Sequence, residues 1–296
     1  MTGKPGAPLD FISYHAKGAP RVIQGHVRMG IRNNLGNVQN GFEIIDQFPQ
    51  FASLPIVLSE SDPEGCAACP LAGHPEVGYR NTTLYPSYTA VMLSNIFKLA
   101  DKHKSNIEGM LTWAFEFENK PYFEGLRTLA TNGIDKPILN VFRMAGLMSG
   151  DRVPLTSSGA LGLDGILQSG VHAAPDIDGM ATRGDREMAV MLWNYHDDDL
   201  PAPAAPVQLT LAGLPAGAAR VLVEHYRIDT DHSNAYTAWQ RMGSPQQPTE
   251  EEYARLEAAG QLQLLRSPEW MGAKDGKLEL RFDLPRQGVS LVKVSW

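Results

Sequence analysis

Leu54-Pro55-Ile56-Val57-Leu58-Ser59-Glu60-Ser61-Asp62-Pro63 is the stretch on which the fold turns. Its short apolar run, residues 54–59, reads as a buried strand, and the run ends on a carboxylate. In an α/β barrel the chemistry sits at the C-terminal ends of the strands, so Glu60 stands where a catalytic group is expected. The same residue also reads as an ordinary strand-end glutamate facing solvent.

Working outward, the first half of the chain alternates strand-like and helix-like segments. Residues 9–15 form a strand rich in β-formers. Residues 38–51 form a helix with Phe42, Ile45 and Phe48 near 3.6-residue spacing. Residues 85–103 form a long helix with Tyr88, Val91, Met92, Ile96 and Leu99 on its apolar side. Residues 107–117 form a third strand. Residues 137–148 form a third helix, with Pro137 in the first turn, where a missing N–H costs nothing. Three strand–helix units in series predict a parallel sheet with right-handed crossovers. Three strands do not close a barrel, which takes eight. The open edge is expected to be covered by a second copy, giving a homo-oligomer, or by elements of the second half.

The pattern changes near Gly150. Residues 153–170 are rich in Ser, Gly and Leu, as in a connector or a first strand region. Runs at 188–195, 207–211, 220–226, 278–282 and 289–294 follow, several alternating with period two as in an antiparallel sandwich. Residues 249–260 read as a capped helix, with Thr249 at the N-cap, acidic residues in the first turn and Gly260 at the end. The predicted fold class is therefore α/β plus all-β. Residues 1–150 form a partial (β/α)8 barrel, and residues 151–296 a β-sandwich with a helical insertion near 249–260.

Composition narrows the function. The net charge of −7, with acidic and basic residues interspersed, argues against a nucleic-acid partner. No apolar run reaches the roughly 18 residues of a membrane span, so no membrane partner is expected. Residues 1–6 lack the apolar core of a signal peptide, which predicts a cytoplasmic chain where Met1 is the true start. Cys66 and Cys69 have no second cysteine pair to close a zinc site, and a thioredoxin-like pair would open a helix. They lie in a Pro-Gly loop and read as a loop feature, with a disulfide as the alternative.

Three strand ends carry polar or aromatic groups: His15 and Lys17, then Glu60 and Asp62, then Trp113, Glu116 and Glu118, with Arg127 shortly after. Parallel strands in register bring these ends onto one rim. Carboxylates there stabilise an oxocarbenium-like transition state. Lysine, histidine and arginine hydrogen-bond hydroxyls or a carboxylate, and a tryptophan covers the apolar face of a pyranose. Each also has a structural reading: His15 as a satisfied core histidine, Trp113 as barrel filling, Arg127 as a structural ion pair. No Gly-rich phosphate loop follows any strand, which removes a flavodoxin-like domain.

Asp10-Phe11-Ile12-Ser13-Tyr14-His15-Ala16-Lys17-Gly18, Ser59-Glu60-Ser61-Asp62-Pro63, residues 110–118, Leu126-Arg127-Thr128-Leu129 and His225-Tyr226-Arg227-Ile228-Asp229 occur in an order that resembles glycoside hydrolase family 39. That family includes β-xylosidases and α-L-iduronidase. The resemblance implies retaining, exo-acting hydrolysis of O-glycosides, β-xylosidase-like in first place and iduronidase-like on uronic-acid glycosides in second. It maps the nucleophile to Glu60 and implies substrate contacts at His15, Lys17, Trp113, Glu116, Glu118 and Arg127. No metal or cofactor is implied, because two carboxylates suffice. The family's acid/base Asn-Glu-Pro motif does not occur here. The resemblance begins at the sixth barrel strand, leaving roughly 200 residues of such a fold unaccounted for. The alternative function is an inactive fragment acting as a carbohydrate-binding or interaction module.

Overall fold

The computed structural model describes residues 9–296. Residues 1–8, which hold the stretch read for a leader, lie outside the described residues. The first half contains β1 (Ile12–Lys17), β2 (Arg21–Ile23), β3 (His26–Arg28), α1 (Ile31–Asp46), β4 (Ile56–Asp62), α2 (Leu84–His103), β5 (Ile107–Met110), β6 (Ala130–Thr131), β7 (Ile134–Asp135) and α3 (Pro137–Gly146). The second half contains β8 (Asp151–Val153), α4 (Gly162–Ser169), β9 (Asp176–Arg183), β10 (Glu187–Tyr195), β11 (Ala205–Ala212) and β12 (Arg220–Ile228). It ends with α5 (Ala235–Arg241), α6 (Glu250–Gly260), β13 (Gln263–Gly272), β14 (Lys277–Leu284) and β15 (Val289–Ser295).

The chain is a mixed α/β fold with a large antiparallel sheet. β1, β4 and β5 form a three-stranded parallel sheet with β4 in the centre. β13, β12, β15, β10, β9 and β8 form a six-stranded sheet in that order, and β11 pairs with β14. Helices fill the space between. α2 packs against β5 on one side and β9, β10 and β15 on the other. This explains why α2 is buried nearly all round from Leu84 to Ile96, a pattern that a helix with one wet face does not show. One apolar core runs from Ala16 and Leu58 through Phe42, Tyr88 and Val141 to Trp193, Val289 and Leu291. Emptying one such site, for example by Leu58→Ala, costs about 2–5 kcal/mol. A second core joins Leu211, Leu278 and Leu280 of the β11–β14 pair to Val190, Val221, Val292 and Val294 of the large sheet.

Several expectations change. The helix placed at 38–51 begins at Ile31 and ends at Asp46. Its first turns look polar, but Asn34 is buried and donates to the carbonyl oxygens of Ala16 and Asp62. Phe48 lies outside the helix and is exposed, because Pro49 starts a separate 3-10 turn. The strand placed at 107–117 stops at Met110. Beyond Leu111 the chain leaves the sheet, and Ala114 and Leu129 instead bond across to Arg127 and Phe115. The alternating Leu111, Trp113 and Phe115 therefore face solvent. The 153–170 connector contains α4, anchored by the buried Ile166. The antiparallel sheet pairs with neither β1 nor β5, since it packs against the helices.

Candidate functional site

β4 reaches three residues further than its apolar run, through Glu60 and Ser61 to Asp62. Simple alternation from Ile56 and Leu58, both buried against the helices, would turn Glu60 inward as well. The register prevents it. Tyr14 opposes Leu58, but the next residue, His15, opposes Glu60, so β4 slips by one residue at Ser59. Such a bulge re-aims every side chain that follows it. Ser59 bonds Ser13, and Glu60 and Asp62 join His15 and Lys17 on the face away from the helices. Ser61 points back, towards Met92 of α2. Gly18, next after β1, donates to the Asp62 carbonyl oxygen, and a Cβ there would stand 2.4 Å from Pro63 O, so the approach of the two loops needs glycine.

Three carboxylates meet three cations around this face. Lys17 Nζ donates to Glu60 Oε2, and to Asp62 Oδ2 at 2.6 Å. Arg127 Nη1 ion-pairs with Asp62. Its Nε lies 3.0 Å from Glu64 Oε1, and its Nη2 3.8 Å from Glu60 Oε2. Arg80 Nη2 lies 2.9 Å from Glu64 Oε1. His15 Nε2 stands 3.9 Å from Glu60 Oε1. Thr112 donates to Asp62, and Tyr79 to Glu64. Burial disfavours the Arg127 charge, but the Asp62 carboxylate, which also accepts its hydrogen bond, and Glu64 outweigh that, so its pKa lies above the ordinary arginine value. Burial, reinforced by the Asp62 charge, raises Tyr85, whose phenol stays neutral.

The carboxylates differ in access. The Glu60 side chain is 26% exposed, whereas that of Asp62 is fully buried. Only Glu60 combines solvent access with cations that hold its carboxylate in place. Asp62 is the last residue of β4 and is enclosed by Lys17, Arg127 and Thr112.

The structure ties His15, Lys17, Glu60 and Arg127 together through ion pairs, whereas Trp113, Glu116 and Glu118 make no hydrogen bond or ion pair with that cluster among the described residues. Trp113 is half exposed and stacks edge-on with Phe117. Glu116 accepts the Gly133 N–H, and Glu118 is exposed. Sequence reasoning left out Glu64, Arg80 and Thr112. The spacing Glu60, Asp62, Glu64 is a period-two signal that extends past the apolar run and could have shown the first two carboxylates sharing a face.

A strand-end carboxylate on a parallel sheet, flanked by cations on an open face, fits the glycosidase class. The chain belongs to Glycosyl hydrolases family 39, whose profile matches residues 2–267. It is 27% identical over 327 aligned residues to α-L-iduronidase of Mus musculus, covering 99% of this chain and 46% of that protein. A solved bacterial orthologue of human α-L-iduronidase superposes with a TM-score of 0.74 at 20% identity, over 99% of this chain and 50% of that one. A monomeric β-xylosidase from Caulobacter crescentus gives a TM-score of 0.70 at 17% identity, over 97% of this chain and 56% of that one. The chain thus spans about half the length of the relatives it matches.

Proposed function

We propose that this chain carries the nucleophile side of a retaining, exo-acting glycoside hydrolase site, with Glu60 as nucleophile. The observation that carries the reading is the slip at Ser59, which turns Glu60 to the open face beside Lys17 and Arg127. On this reading β1, β4 and β5 are the last three strands of a (β/α)8 barrel within residues 1–150. The antiparallel strands of residues 151–296 form a β-sandwich. Retaining chemistry needs a second carboxyl about 5–5.5 Å from the nucleophile. Asp62 and Glu64 are committed to arginines, so neither is free to protonate a leaving group. The general acid is left to a carboxyl outside this cluster.

A β-xylosidase-like activity on a neutral sugar ranks first. Lys17, Arg80 and Arg127 are matched by three carboxylates, which leaves no lysine or arginine of this cluster unpaired for a uronate. Iduronidase-like action on uronic-acid glycosides would require Lys17 to leave Glu60. The second reading, a carbohydrate-binding or interaction module, draws on the exposed Trp113 and Phe115. Covering of the unpaired β1 and β5 edges by a second copy belongs to the same set of proposals. The test is mass spectrometry after 2-fluoro-xyloside and 2-fluoro-iduronide inactivators. A xyloside-derived label on the Glu60 peptide, lost in Glu60→Gln, is expected. A label on the peptide containing Glu116 and Glu118 overturns the assignment.

A further inference from the structure

The loop that follows β4 is closed by a disulfide between Cys66 and Cys69, the chain's two cysteines. Three of its carbonyl oxygens point at two buried arginines. Arg80 Nη2 donates to Cys66 O and Nη1 to Cys69 O, both at 2.6 Å, and Nη1 also reaches Gly125 O. The Arg127 backbone N–H donates to Ala67 O at 2.9 Å. Glu64 closes the circuit: it accepts the Cys66 N–H at 2.6 Å and lies against both guanidinium groups. The loop carbonyls thus hold Arg80 and the Arg127 backbone, while the Arg127 guanidinium holds Asp62 and faces Glu60. Neither arginine side chain reaches solvent to any extent, yet Cys66 is exposed and Cys69 half-buried. The disulfide can be reached by a small thiol although the groups it organises cannot.

We propose that the Cys66–Cys69 loop is a redox-sensitive clamp that positions Arg127, and through it Glu60. Its catalytic consequence rests on the nucleophile reading of Glu60; the clamp itself does not. Opening it takes two electrons from a dithiol. One thiolate attacks the Cys66 sulfur and expels Cys69 as a thiolate. The second thiol of the reagent then attacks its own sulfur in the mixed disulfide and releases Cys66 as a thiolate. The reagent leaves as a cyclic disulfide, and both cysteine thiolates take up protons according to pH. Once the tie is cut, the carbonyls of Cys66, Ala67 and Cys69 are no longer held together against Arg80 and Arg127. A sub-ångström drift of a group beside a nucleophile is costly, since about 1 Å of misplacement costs on the order of a hundredfold in rate.

The experiment compares hydrogen exchange in three samples of the whole chain: oxidised, reduced with a dithiol, and Cys66→Ser/Cys69→Ser. The thiol count is checked by mass. The Arg127 amide is expected to exchange about five- to tenfold faster in the reduced and doubly substituted chains, the value of one lost hydrogen bond. Amides of β10 and β15 stay unchanged, and reoxidation restores protection only in the unsubstituted chain. Unchanged Arg127 protection in the reduced chain overturns the clamp. So does a loss of protection spread over β10 and β15, which makes the disulfide a general staple. Labelling by a 2-fluoro-glycoside, run in parallel, is expected to slow roughly tenfold or more on reduction. If the oxidised chain takes no label at all, the nucleophile reading falls while the exchange data still decide the clamp.

Discussion

Arg127→Met is the perturbation that most sharply tests how the site is held. The guanidinium is 1% exposed and touches the fully buried Asp62, as well as Glu64 and Glu60. With Arg127 in place, three cations match three carboxylates. Without it the cluster carries one excess negative charge, and Asp62 keeps only Lys17 as an ionic partner. Removing one partner of a buried pair costs about 3–5 kcal/mol, because the remaining charge stays uncompensated. For a chain of 296 residues that lowers the melting temperature by roughly 5–8 °C. Asp62→Asn in the Arg127→Met background takes away the stranded charge and should recover part of the loss. A coupling of about 2 kcal/mol is expected between the two sites. The assay is urea unfolding at neutral pH for the parent, both single variants and the double variant, with the denaturant slopes compared. A loss below about 1 kcal/mol for Arg127→Met, or single effects that add within about 0.5 kcal/mol, would refute the view that Arg127 neutralises this cluster.

Lys136 is fully buried, and that burial, with the Arg80 charge, lowers its pKa to about 7. Between there and 10.5 the unfolded chain binds a proton that the folded chain does not, so stability rises with pH across that window and is lost as pH falls towards 7. Lys136→Met should flatten this slope, which is worth up to about 5 kcal/mol; parallel stability–pH curves would count against it. Asp197 is the mirror case: burial raises it to about 7, so the folded chain holds the extra proton and stability falls as pH climbs from about 4 to 7. Asp197→Asn should remove that fall, measured by thermal melts across the same range. Trp113→Ala should shift stability by less than about 0.5 kcal/mol, since the ring is half exposed; a larger loss in thermal unfolding would show that the ring is packed in solution.

Much of the scaffold is legible because it follows local rules. α6 shows this most directly: Thr249 accepts from the Glu252 N–H at 3.2 Å, and the Glu252 carboxylate accepts from the Thr249 N–H at 2.8 Å, as the capping pattern foretells. α3 starts at Pro137 for the same kind of reason. Glu60 is legible as a strand-end carboxylate, but its orientation is not. The side-chain period makes Glu60 a partner of Leu58, and only the pairing with β1 shows that the strand slips at Ser59. β13 escapes a sequence reading because Pro268 breaks its pattern; as the edge of the large sheet it has an unpaired side that tolerates the missing N–H. Residues 111–117 mislead in the opposite way, since their alternating aromatics look like a strand whose apolar side has a core to face.

The burial gradient along Glu60, Asp62 and Glu64 separates stability from chemistry. Asp62 and Glu64 are enclosed and tied to arginines, so they are positioned to fix backbone and cations rather than to react. Each is also bonded to neutral donors, Thr112 for Asp62 and Tyr79 for Glu64, which offsets the desolvation that makes an isolated buried pair costly. Glu60 stands at the outer end of the same network. It borrows the orientation of Lys17 and the field of Arg127 without being enclosed by them. A carboxylate arranged in this way stays reachable by solvent while its partners supply fixed charges, the arrangement that the proposed nucleophile role calls for. The one-residue slip at Ser59 is the structural step that makes the division work. Without it, Glu60 would point at the helices with Leu58, and the network would hold no reachable carboxylate.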